Sequence, residues 1–216
     1  MTDIERLALD LLDERELQLA DHLHVLLGDD KWDAGPLIEE ILPIYWERIG
    51  DRLRNCYPGN IYRPLNYIHV WSSTGDFANS TRAYMDVISN HIEGCLQNFL
   101  YPGDEHRGTS KAFGPLIAEL KNQGILSADL AGSLWKFNEV VNVPSKHFGA
   151  YAPTRWLDER TFSAIETVYA IVIMRKLSIQ LFALLKANGI SLPHEWSDFK
   201  DEWLSSFPEY NVNPGD

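Results

Sequence analysis

The sequence predicts an all-α protein, a helical bundle with an N-terminal helical extension. Two observations carry that reading. Apolar residues recur at three- and four-residue spacing over most of the chain, the period of a helix with one buried face. Turn signals at Tyr57-Pro58-Gly59-Asn60, Tyr101-Pro102-Gly103-Asp104 and Asn188-Gly189 then divide the periodic stretches into helix-sized pieces. The 216 residues, 45% of them apolar and 23% charged, are ample for a buried core.

In order along the chain, Ile4, Leu7, Leu11, Leu12, Leu19 and Leu23 mark one or two amphipathic helices over residues 3–28, and Gly28-Asp29-Asp30 ends them. A helix from Pro36 to Leu53 follows, with Pro43 as a kink or restart. Within residues 57–77, after the turn at Tyr57-Pro58-Gly59-Asn60, those from Ile61 to Trp71 mix aromatics, β-branched residues and one proline. They fit a short strand or a loop, and loop is the expectation. Asp76 is the expected N-cap of a helix running to Leu100, whose buried stripe includes Tyr84, Ile88, Ile92, Cys95 and Phe99. A short helix over 110–123 buries Phe113, Leu116, Ile117 and Leu120 and stops at Gly124. Ser127 caps a helix to about residue 141, after which two prolines and a glycine predict a turn from Asn142 to Trp156. Asp158 is the expected cap of the longest helix, 158–188, about 45 Å long and apolar around most of its circumference. Ser163, Thr167, Ala170 and Ser178 give it a second row, mostly small, where another helix can approach. The tail holds Trp196, Phe199, Trp203 and Phe207, which suggests a short helix packed back on the domain.

Charge is uneven. The chain carries a net −12, and residues 1–60 hold fourteen acids against six bases, whereas residues 107–186 hold ten bases against six acids. An acidic chain repels nucleic acid at long range, and the later basic excess softens that. No uninterrupted apolar run is long enough to predict a membrane span, and the start lacks the pattern of a secretory leader. Cys56 and Cys95 are expected to be reduced, which together with the missing leader leads to an expected cytoplasmic location.

The residue patterns that could carry chemistry are few. His91 and Cys95 have a spacing that can hold zinc, but no second pair with ligand spacing accompanies them, so neither metal nor cofactor is expected. Arg63 and His69 form a loose pair interrupted by Pro64. His22 and His24 cannot share a helix face. Gly103 and Gly108 are isolated, and no nucleophile-elbow pattern exists. Tyr62, Tyr67 and Trp71 could line a small-molecule pocket, without a motif to support it.

The order of short helix, helix, Asn…His turn and long apolar helix is carried by Phe113 to Ser127, by Leu134-Trp-Lys-Phe-Asn-Glu-Val-Val-Asn-Val-Pro-Ser-Lys-His147, and by the helix around Met174 to Leu181. It resembles the HEPN superfamily over about residues 78–188. The resemblance implies a four-helix core, frequent homodimers and, in many members, metal-independent RNA cleavage by an Arg, a following polar residue and a His. It divides the chain into an N-terminal helical extension, 1–75, and a HEPN-like bundle with an aromatic tail, 76–216. The chemistry suits the types: a His moves protons near neutral pH, and an Arg grips the scissile phosphate with two hydrogen bonds. His147 falls at the His position and Asn142 at the polar position, but Val141 stands where the Arg belongs. Lys146 or Arg155 could supply a cation, lysine without the same fork. The candidate catalytic set is therefore His147, Asn142, Lys146 and Arg155. The resulting expectation is an interaction or dimerisation module, partnered by a second copy, another protein or RNA. The alternative is a ribonuclease, acting as a toxin or defence effector, with His147 as acid or base.

Overall fold

The computed structural model describes residues 1–28, 77–101, 111–146 and 162–190, together with the buried Ile38, Ile41 and Ile68. The expected helix at 36–53, the loop at 57–77 with its Arg63–His69 pair and aromatics, the Asp76 cap and the aromatic tail lie outside these residues. Among the described residues every regular element is helical: α1 (Asp3–Leu11), α2 (Glu14–Gly28), α3 (Phe77–Leu100), α4 (Phe113–Asn122), α5 (Ala128–Phe137), a π-helical turn (Asn138–Asn142), α6 (Val143–Lys146) and α7 (Ala164–Ala187). The all-α helical bundle expected from periodicity is what forms.

Three helices start with reciprocal side-chain caps. The Thr2 hydroxyl accepts from the Glu5 backbone while the Glu5 carboxylate accepts from the Thr2 N–H. Asp13 and Glu16 do the same at α2, and Ser163 and Glu166 at α7. Each pair satisfies two backbone donors that a helix start leaves without partners. The Ser163 cap corrects the expected start of the long helix. Ser163 is extended, so α7 begins at Ala164, not near Asp158, and its 24 residues span about 36 Å. At the other ends, Gly124 and Gly189 adopt left-handed backbones (φ 73° and 67°) that let the chain fold back on the last carbonyls.

A second correction falls at the expected turn after residue 141. The chain stays helical through Lys146, with Pro144 inside it. A proline removes one backbone donor and its ring presses on the carbonyl four residues earlier. Here the preceding turn is widened: the Val143 N–H reaches back five residues to the Asn138 carbonyl. The wider turn makes room for the ring without ending the helix.

α7 is the central element. It packs most extensively on α3, then on α2 and α1. It is long and apolar enough to cross a membrane, with a mean hydropathy of 1.7 over its most apolar window, and 72% of that window is buried inside the bundle. Its all-round apolar surface thus has partners on several sides within the chain. One apolar cluster runs from Ile4, Leu7 and Leu23 through Ile92 and Leu96 to Ile173 and Leu181, so α1 and α2 share the core of the later helices. Polar contacts reinforce the join. Buried Glu16 accepts from Lys176 Nζ at 2.7 Å and lies 3.9 Å from Arg175, and Lys136 on α5 pairs with Asp10 on α1 at 2.9 Å.

Candidate functional site

The described part of the expected motif lies on the π-helical turn and α6, packed against α3. Val141 is fully buried in the apolar core. Asn142 is 3% exposed, and its amide nitrogen donates to Asn138 Oδ1 at 2.8 Å. Ser145, also buried, donates to the Asn142 carbonyl at 3.0 Å, and its hydroxyl lies 3.3 Å from that of Ser89 on α3. Asn138, Asn142, Ser145 and Ser89 therefore form a buried polar seam between the motif and α3. Asn142 Oδ1, inside that seam, has no hydrogen-bond partner.

Physically, the seam is a specificity device for packing. Each buried hydroxyl or amide costs free energy unless paired, and the Ser89–Ser145 contact is the polar link in the seam that ties the motif to α3, while Asn142 and Asn138 pair within their own stretch. Asn142 is kept from solvent by its burial, with one of its two amide hydrogens bonded to Asn138. Lys146 ends α6, and its side chain, like His147 and Arg155, lies outside the described residues. Of the four expected site residues, the structure thus places the side chain of one, Asn142, and places it in the core.

Sequence reading missed Asn138, which supplies the partner oxygen. The signal was present: Asn138 and Asn142 are four residues apart, the spacing that lets two side chains of a helical stretch meet. It also missed the Ser89–Ser145 contact, which joins residues 56 apart and leaves no local signature.

A second buried polar group sits between α3 and α7. His91 Nε2 lies 2.8 Å from Ser178 Oγ, and the Ser178 hydroxyl donates to the Met174 carbonyl at 2.6 Å. Ser178 Oγ thus joins the His91 imidazole and the Met174 carbonyl in one buried chain of polar contacts. Cys95 Sγ is 3.8 Å from the same nitrogen, and the imidazole meets Phe182 edge-on at 6.0 Å between centroids. The two residues with zinc-like spacing are thus joined to α7 in the core, and among the described residues no three His, Cys, Asp or Glu side chains gather to hold a metal ion. Burial pushes the Cys95 thiol well above its ordinary range, so it stays protonated and unreactive.

No protein-family model matches the chain, and neither a characterised protein nor a solved structure matches it.

Proposed function

We propose that the chain is a HEPN-like helical protein that works by binding a partner, without catalysis. The observation that carries this reading is the burial of Val141. In the resembling family that position holds the arginine that grips phosphate; here it holds a fully buried apolar side chain. A neighbouring lysine can add charge but not the bidentate grip, and the loss of such a grip removes much of the stabilisation of a phosphoryl transition state. The Asn142 amide, bonded to Asn138, is buried in the core and away from any substrate in solution. A second copy of the chain is the favoured partner, with another protein or RNA as the alternatives.

One feature favours the ribonuclease reading instead. The π-helical turn is separated from Ser145-Lys146-His147 only by Val143 and Pro144, and such turns recur at functional sites. A single assay separates the two. Purified protein is incubated with single-stranded and hairpin RNA in the presence of a chelator, and the products are resolved on a denaturing gel. No cleavage is expected. Cleavage that disappears in His147→Ala overturns the proposal and establishes the ribonuclease.

A further inference from the structure

The last turn of α7 is closed by bonds that also decide when Asn188 can react. Of the chain's twelve asparagines, Asn188 alone is followed by glycine. That pairing is chemically labile. With no side chain on the next residue, its backbone nitrogen can reach the asparagine Cγ and close a five-membered imide. Asn188 and Gly189 are both exposed, so water and hydroxide reach them.

The fold holds the pair in an unreactive geometry. Asn188 is the C-cap residue, at φ −87° and ψ 7°. At that ψ the Gly189 nitrogen is turned toward Asn188's own nitrogen, whereas ring closure needs it on the Cβ side. The Asn188 carboxamide donates to the Leu184 carbonyl at 2.8 Å. The Gly189 N–H donates to the Lys186 carbonyl and the Ile190 N–H to the Leu185 carbonyl, both at 3.0 Å, the paired bonds of a glycine-terminated helix. Attack therefore requires the last turn to open, and helix ends open far more readily than helix centres.

α4 supplies an internal comparison. It ends in the same way, with Gln123 at φ −77° and ψ −4° and Gly124 at φ 73°. The Gly124 N–H donates to the Lys121 carbonyl and the Ile125 N–H to the Leu120 carbonyl, again at 3.0 Å. Gln123 is exposed as well. Its side chain is one methylene longer, so the same attack must freeze a further rotor to close a larger ring, and it is slow.

We propose that Asn188 is a site of spontaneous covalent modification, reached through fraying of the last turn of α7, and that the product keeps this turn from closing again. The Gly189 nitrogen, its proton taken by hydroxide, bonds to Asn188 Cγ. The bond from Cγ to the carboxamide nitrogen breaks, and that nitrogen takes a proton from water and leaves as ammonia. Water then adds to one of the two imide carbonyls, leaving aspartate or isoaspartate at position 188. The net change is amide plus water to carboxylic acid plus ammonia, with no oxidation or reduction. The new carboxylate cannot donate to the Leu184 carbonyl, and it sets a negative charge at the negative end of the helix dipole. In the isoaspartate product the backbone is one methylene longer, which displaces the Gly189 and Ile190 N–H groups from their carbonyls. Ile190, which packs against the core, is thereby released.

The test ages the full chain at mildly alkaline pH, native and in urea, and follows the amide-to-acid mass gain by peptide mapping. Isoaspartyl methyltransferase with a labelled methyl donor reports the isoaspartate. Conversion is expected at Asn188 and not at Gln123, and at least several-fold slower in the native chain than in urea. The aged native fraction, separated by its extra negative charge, is expected to exchange the Gly189 and Ile190 amide hydrogens faster than fresh protein. The amide of Ile92, inside α3, should keep its protection. Asn188→Gln is expected to stay folded by circular dichroism and to remain unmodified. Conversion in urea with none in the native chain overturns the site in the folded protein, as does no conversion at all. Equal rates in the two conditions overturn the control by the last turn. Unchanged exchange in the aged fraction overturns the loss of closure.

Discussion

His91, Ser178 and Cys95 show how single residues set chemistry in this core. Ser178 Oγ links His91 Nε2 on α3 to the Met174 carbonyl on α7. Cys95 is fully buried, and burial raises its thiol pKa above the ordinary 9.0; burial raises that of Tyr84 above 10.0. The consequence for stability has a definite sign. Well below pH 9.0 the thiol is protonated in both folded and unfolded chains, and pH has no leverage through it. Above that value the unfolded chain releases the proton and the folded chain keeps it, so stability falls as pH rises, with a limiting slope of about 1.4 kcal/mol per pH unit for one group. Melting temperature is therefore expected to decline from pH 9 upward, and Cys95→Ala is expected to flatten the first unit of that decline. An equally steep decline in Cys95→Ala would show that the thiol is not the group responsible. Wild-type Cys95 should also resist a thiol reagent until the protein is unfolded.

At the level of elements, caps decide boundaries that periodicity leaves open. The apolar pattern of the long helix can be extended back to Asp158, an acceptable cap residue. Ser163 wins because Glu166, three residues on, returns the bond to its backbone N–H, so two donors are satisfied instead of one. The Ser-x-x-Glu signature was in the sequence, as were Thr2…Glu5 and Asp13…Glu16. Ser163→Ala is expected to lower stability by about 1 kcal/mol, read as a drop in melting temperature, whereas Asp158→Ala should leave it unchanged. The reverse pattern would return the start of α7 to residue 158. The helical path through Pro144 was not legible in the same way. Proline argues for an end, and only the widened turn that accommodates its ring allows the helix to continue.

For the whole molecule, the central fact is that α1 and α2 complete the surroundings of α7. Ile4 and Leu23 are fully buried in the same cluster as Ile173 and Leu181, and burying one such side chain contributes about 1.5–3 kcal/mol. Several are lost together if the N-terminal helices go, against a typical total stability of about 5–15 kcal/mol. Glu16 adds a link from α2 to Lys176 across 160 residues, and its removal leaves the Arg175 and Lys176 charges without that carboxylate. Deletion of residues 1–28 is therefore expected to abolish the cooperative thermal transition and to expose apolar surface that binds a hydrophobic dye. A truncated chain that still melts sharply would make α1 and α2 an appendage.

The sequence by itself determined the helical class, the faces of α3, α4 and α5, and the endings at Gly124 and Gly189, because period and terminus chemistry are local. It also placed Asn142 and Val141 in the motif that suggested a family. Only the tertiary structure decided what those residues do. Val141 and Asn142 face the core because α3 packs over them, and His91 is joined to Ser178 because α7 packs on α3 there. Burial and partnership between residues 56 to 160 apart depend on which helix faces meet, and helical period alone leaves those pairings open. The described part of the Asn…His motif, Val141 to Ser145, is thus a piece of core, tied to α3 through Ser145 and Ser89.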